Sequence, residues 1–357
     1  MDKYPLLSKG LAVGIILLFV GTAIIPLSGQ KIEKVSLPMS RGNTLYVGGS
    51  GPGNYSKIQD AVDNASSGDR IVVFSGFYQE HVYINKSLYF QGIDFPVVDG
   101  KKTGWVFRLE YESCTIEGFQ IQNGSGIYVD SNHNIIKNNR FSPFAYSAIF
   151  IQGFIMVTDL LIQNNTISNC SYGIYNIRGN DLSWVNISYN RFSDISYNGI
   201  DICQTGHIVI FRNSFINVGE DGLFIYAWGG RDNVTGNVFS KCHIGLNVDA
   251  IDYYCNINHN SFENNDLGLF LSFNDRVADN FQKITIKENN FIQNARNSGY
   301  VSWYASPYVY QSNYWGQAMD HPKVIFGRWG YTFLHLRPSF RIDWHPAQEP
   351  YNIPGMR

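Results

Sequence analysis

Between residues 136 and 291 one phrase recurs seven times: an apolar residue, two variable residues, Asn, one variable residue, then Phe or Ile. The copies begin at Ile136, Ile162, Ile187, Ile210, Val234, Ile257 and Ile286, and carry Asn139, Asn165, Asn190, Asn213, Asn237, Asn260 and Asn289. Their start-to-start steps of 26, 25, 23, 24, 23 and 29 residues fall in the range of solenoids and below that of propeller blades. A second phrase, Gly-(Ile/Leu)-x-(Val/Ile/Leu/Asn), keeps step with it, from Gly126-Ile-Tyr-Val129 to Gly268-Leu-Phe-Leu271. Each copy alternates apolar and variable residues between turn formers, the pattern of a short strand with one buried face. Two or three such strands per ~23-residue turn predict an all-β fold, a parallel β-helix of roughly ten coils stacked at the ~4.8 Å spacing of paired strands. At the bend between strands the recurring Asn can bond the coils above and below through its side-chain amide, and it tolerates left-handed backbone angles. The seven Asn are therefore expected to form an internal ladder.

The 357 residues suffice for one long core, and a solenoid grows by adding coils, so a single domain is expected. With a net charge of −2, 16% charged residues and no clustering of Lys and Arg, the chain has no electrostatic footprint for nucleic acid. Its five cysteines are odd in number and lack framework spacing, which excludes a small disulfide scaffold.

Residues 1–29 contain an uncharged stretch whose apolar part, Leu11 to Leu27, is flanked by lysines. It suits either a cleaved signal peptide or an uncleaved membrane anchor, and both send the remainder outside. Eight Asn-x-Ser/Thr sequons, at Asn54, Asn64, Asn85, Asn123, Asn164, Asn169, Asn186 and Asn233, are compatible with export to the cell surface. Residues 30–43 form a polar linker. Residues 44–70 are expected to cap the N-terminal end, with a helix opened by the capping box Ser56-Lys-Ile-Gln59 and presenting Ile58, Ala61, Val62 and Ala65 to the core. The solenoid then covers 71–315, and 316–357 form an irregular C-terminal cap rich in Trp and Pro.

The segments Ile58–Ala65, Gly68–Val73, Gly76–Glu80 and Lys86–Gly92 resemble the opening of many secreted right-handed β-helix proteins, including pectin methylesterases and the NosD-like, carbohydrate-binding-and-sugar-hydrolysis family. Asn313-Tyr-Trp-Gly316, Asp343-Trp-His-Pro-Ala347 and Pro350-Tyr-Asn-Ile-Pro354 are similar to the closing segment of NosD-like surface proteins. The resemblance implies a right-handed coil, an exported protein and carbohydrate as partner. It also implies copper handling, but the five Met are scattered and the eight His form no cluster. The motifs of known β-helix enzymes are missing: Gly206-His207 is followed by Ile208, which breaks the Gly-His-Gly of polygalacturonases. Gly199-Ile-Asp201, Asp221-Gly-Leu223 and Gly245-Leu-Asn-Val248 are faintly similar to coils of alginate C5-epimerases.

Alternation assigns the outward side chains of the Gly-Ile-x-Val strands. One column is Tyr128, Phe150, Tyr175, Asp201, Phe224, Asn247 and Phe270; the next is Asp130, Gln152, Ile177, Cys203, Tyr226, Asp249 and Ser272. The aromatic residues either stack among themselves and stiffen the sheet or offer a platform for sugar rings. In the second case the ligand-binding set is Tyr128, Phe150, Tyr175, Phe224, Tyr226, Asn247 and Phe270, with Trp228 and Arg231 from the following loop. Asp201 and Asp249, two coils and ~10 Å apart, with Asp221 in the intervening turn, are the candidate acid and base of a lyase, epimerase or hydrolase. A non-catalytic structural or adhesive protein is the remaining alternative. Cys242-His243 with Cys255 and His259 has a zinc-like look, but the second pair flanks an inward Ile257 and a coil separates the pairs, so neither metal nor cofactor is expected.

Overall fold

The computed structural model describes residues 42–143, 146–152, 156–177, 182–204, 206–228, 230–251, 254–273, 284–302, 308–329 and 337–353, with Gln204, Trp228, Ile251 and Trp329 described by backbone only. The proposed leader, residues 1–29, and residues 30–41 of the proposed linker lie outside these residues. Among the described residues no helix is long and apolar enough to cross a membrane.

The chain is an all-β parallel solenoid of about 11 turns, one more than the repeat count suggested. Strands of successive turns align in three lengthwise stacks. The first stack is a 12-stranded sheet in which Ile116, Ile136, Ile162, Ile187, Ile210, Val234, Ile257 and Ile286 lie in register. All of these are fully buried. The second stack aligns Phe141, Ile167, Phe192, Phe215, Phe239, Phe262 and Phe291. From Phe192 onward the rings stack face to face at 4.8, 4.8, 5.1 and 4.9 Å, and Trp315 closes the column 4.5 Å from Phe291. Identical residues on strands ~4.8 Å apart place rings at stacking distance without further adjustment, and each fully buried ring contributes roughly 1.5–3 kcal/mol through removal from water. The third stack is built from the Gly-Ile-x-Val strands. In the two coils Ser214–Trp228 and Val238–Ile251 it runs continuously from the second.

At the corner between the first two stacks, each Asn accepts from the coil before it and donates back to it. Asn213 Oδ1 takes the N–H of Asn190 at 2.9 Å, while Asn213 Nδ2 reaches Ile187 O at 2.8 Å. The same pair of bonds repeats from Asn139 to Asn289 and continues to Asn313. The left-handed angle sits elsewhere than expected. It falls on the residue before each ladder Asn, among them Asn138, Asn164, Tyr189, Arg212 and Gly236, with φ of 57, 53, 59, 52 and 70°. That residue points outward and turns the chain, leaving the Asn side chain free to face inward.

Both ends depart in detail from the sequence reading. The helix α1, Ile58–Asn64, buries Ile58, Ala61 and Val62 against the first coil. Its N-terminus makes no side-chain cap bond of its own. Instead the Glu80 carboxylate accepts from the N–H groups of Ile58 and Gln59 at 2.9 and 3.1 Å, while Lys86 Nζ donates to the carbonyls of Val62 and Ala65 at the other end. An ion of matching sign at each terminus satisfies orphan backbone groups and complements the helix dipole. At the far end, 316–357 is more regular than expected. Lys323–Trp329 extends the third stack, and Arg337–Asp343 folds back antiparallel on it. The fold-back delivers Asp343, fully buried, to the end of the Asn ladder, where it accepts from Asn313 N, Asn313 Nδ2, Trp315 Nε1 and Ser312 N at 2.9 to 3.2 Å.

Candidate functional site on the outer face of the third sheet

Register confirms the geometry of the first outward column: Tyr128, Phe150, Tyr175, Asp201, Phe224, Asn247 and Phe270 face one another across successive strands. Burial divides it. Tyr128 and Phe150 are only 7% and 5% exposed, because Trp105 from an earlier coil packs on both at 5.5 and 5.0 Å and Arg108 covers Tyr128. They are packing residues in this structure. From Tyr175 onward the column is half-buried and open to solvent.

Three further tyrosines join Tyr175. Tyr172 stacks on it at 4.7 Å and on Tyr197 at 5.4 Å, and Tyr146 meets Tyr172 and Tyr175 edge-on at 5.8 and 5.9 Å. Tyr146 and Tyr197 are 40% and 50% exposed, so the four rings make an accessible shelf. Tyr197 belongs to a third column, the position two residues before each repeat glycine, which continues with Glu220, His243 and Asp266. That periodic position, just outside the strand phrase, was the signal available in the sequence.

The shelf ends in carboxylates. Asp201 accepts from Asn198 Nδ2 at 2.9 Å, and the other end of the Asn198 amide takes the Asp221 N–H at 3.0 Å. Asp221 is buried and its Oδ2 accepts from Asn247 Nδ2 at 2.8 Å. Burial pushes its carboxyl up to about 6; the Asn247 bond opposes this, and the nearby Glu220 and Asp201 charges add to it. The Tyr146 hydroxyl is pushed up to about 12, first by burial and then by its tyrosine neighbours and Asp201. His243 is raised chiefly by its bond to Asp266, 3.0 Å away.

The structure therefore brings together Asp201, Asp221, Asn247 and Tyr175, and leaves other candidates apart. Asp249 pairs with Tyr226 and Ser272 in the adjacent column, two residues along the strand, which shifts it ~6.7 Å sideways from the Asp201 line. Arg231 opens the next coil's first strand, where its guanidinium lies over Tyr254 at 5.3 Å. The side chain of Trp228 lies outside the described residues. The cysteines are free and buried, and burial raises Cys114, Cys170 and Cys242 to about 12, far from thiolate chemistry.

The model of the family described as right handed beta helix region matches residues 106–250 and 154–314. The chain belongs to this family. A curated relative, the cell surface glycoprotein of Methanothermus fervidus, is 28% identical over 185 residues, 49% of this chain and 27% of that protein. The chain thus spans about a quarter of the relative it matches. Among solved structures, the complex of XylC with xylose aligns at TM-score 0.46 and 10% identity, covering 85% of this chain and 73% of that chain. The A-module of a mannuronan C-5 epimerase from Azotobacter vinelandii aligns at 0.41 and 12%, over 71% and 88%. A surface adhesin of Streptococcus pneumoniae aligns at 0.34 and 13%, over 76% and 84%. At such scores these likenesses carry no argument about the chemistry of this β-helix.

Proposed function

We propose that this chain is an exported, cell-surface β-helix that binds carbohydrate on the outer face of its third sheet, centred on Tyr146, Tyr172, Tyr175 and Tyr197. The observation that carries this reading is the exposed tyrosine shelf running into Asp201, Asp221 and Asn247, since a pyranose offers an apolar face to rings and hydroxyls to carboxylates and amides. With Asp201, Glu220, Asp221 and Asp266 around it, the shelf suits neutral or amino sugars and disfavours anionic ones. The name of the curated relative supports the surface location. In a glycan screen of the full chain, Tyr175→Ala should weaken binding of any retained neutral glycan by about 1–3 kcal/mol, a magnitude taken from base-on-aromatic stacking, with little change in melting. Unchanged affinity in that variant would remove the shelf from the binding site.

Catalysis on the same face is the second reading, favoured by Asp221, whose carboxyl titrates near 6 beside Asp201. Asp201→Asn separates the two. A binding module keeps most of its affinity after the change, whereas an enzyme binds and loses turnover by ~100-fold or more.

A further inference from the structure

One glycine breaks the outward column at a position whose backbone does not demand it. At Gly199, Gly222, Gly245 and Gly268 an added Cβ would run into the backbone carbonyl of the next coil, so the repeat glycines are obligatory. Gly299, which follows Phe270 in the outward column, is different: its φ lies outside the left-handed region, and a Cβ there would meet only Phe270 Cδ2 at 3.9 Å and Arg296 Nε at 4.0 Å, ordinary contacts. The register of the last parallel pair, Tyr300 with Gly327, puts Phe326 next in the same column, and Phe326 is 74% exposed. Phe270 and Phe326 thus stand two strand steps apart, ~9.6 Å, with a rung between them that carries no side chain of its own; Gly299 is buried, and Arg296 Nε lies 4.0 Å from the position a Cβ there would take.

That rung opens into a cleft of about 870 Å³ lined by Phe270, Gly299, Phe326, Arg296, Lys323 and Arg328. Arg296 and Arg328 are exposed and Lys323 is half-buried. Among the described residues none of the three cations forms an ion pair, and Lys323 Nζ lies over the Trp315 ring at 5.7 Å. A ring taking the place of the exposed Arg296 side chain over Gly299 would lie ~4.8 Å from each phenylalanine, the interval at which Phe192, Phe215 and Phe239 already stack in the core.

We infer that this cleft is a second, separate binding site, for a carboxylated sugar ring of an acidic polysaccharide. A hexuronate supplies both required features in one residue: a ring face for Phe270 and Phe326, and a carboxylate for the guanidinium forks of Arg296 and Arg328. The charge preference is opposite to that of the tyrosine shelf, so the two sites are distinguishable by ligand.

The test is titration of the full chain with an oligogalacturonide, a neutral oligosaccharide of equal length, and dextran sulfate. The expected result is saturable, salt-sensitive binding of the oligogalacturonide that falls at least tenfold in Gly299→Trp, which fills the rung, and in Arg296→Glu, with melting unchanged in both. Tyr175→Ala should leave this binding intact, so failure of the tyrosine site and failure of this one give different results. Absence of saturable oligogalacturonide binding overturns the inference. So does an affinity insensitive to Gly299→Trp or matched by dextran sulfate, since either result marks a general attraction to cations, and so does loss of binding in Tyr175→Ala.

Discussion

The corner that carries the Asn ladder and the outer face of the third sheet are built from the same coils, yet they obey different rules. Along the ladder, Asn139 to Asn313 and Phe192 to Phe291 repeat with almost no variation, because every member must satisfy the coil before it and the coil after it. A single exception would leave buried amides unmet or open a gap in a ring stack. On the outer face, successive rungs read Tyr175, Asp201, Phe224, Asn247, Phe270 and Gly299, and no two neighbours are alike. Solvent accepts any side chain there, so the backbone supplies evenly spaced rungs and the sequence is free to write chemistry on them. Regularity inside makes irregularity outside affordable to the fold.

This contrast can be broken most sharply at its interior end. Phe239→Ala removes one ring from a continuous stack and should cost about 3–5 kcal/mol in urea unfolding. A loss no larger than that of an exposed ring on the outer face would show that the stack is not a cooperative core. Next in size is the ladder terminus. Asp343→Ala leaves three buried or half-buried donors without an acceptor, the backbone N–H groups of Ser312 and Asn313 and the Trp315 indole N–H, and is expected to destabilise by about 3 kcal/mol. Truncation at residue 336 should do at least as much, and identical melting of the truncated and full chains would make the fold-back a mere appendage.

The outer face should respond with the opposite sign. Asp221 holds its proton more tightly in the folded chain, near 6 against an ordinary 3.8, so the native state loses stability as pH rises from about 4 to about 6 and carries the full penalty above that. Asp221→Asn should therefore match wild type at pH 4 and exceed it by about 2 kcal/mol at pH 7. Parallel stability curves for the two proteins from pH 4 to 7 would refute the burial of that charge. The smallest effect belongs to the helix: Glu80→Ala should cost about 1 kcal/mol, whereas Ser56→Ala should be close to neutral, because the carboxylate and not the hydroxyl meets the helix N–H groups. Reversed effects would restore the capping box.

Much of the architecture was legible in the primary structure for a simple reason. A ~23-residue period with an inward residue at each strand leaves little choice about which residues share a stack, and Ile136, Asn139 and Phe141 each predict their counterparts one coil on. The same period placed Tyr175, Asp201, Phe224 and Asn247 in one column. It could not say which rungs are covered, since Trp105 reaches Tyr128 and Phe150 from a coil outside the repeat phrase. Nor could local patterns find the Glu80 and Lys86 ties to α1, or the Asp343 bond to Asn313, whose partners lie 21 to 30 residues away. The sequence by itself determined the coil, its inward residues and the column order, because these follow from periodicity alone. Only the tertiary structure decided which outward residues meet solvent, which carboxylates share a site and how the two ends are closed, because each of those depends on contacts that no period relates.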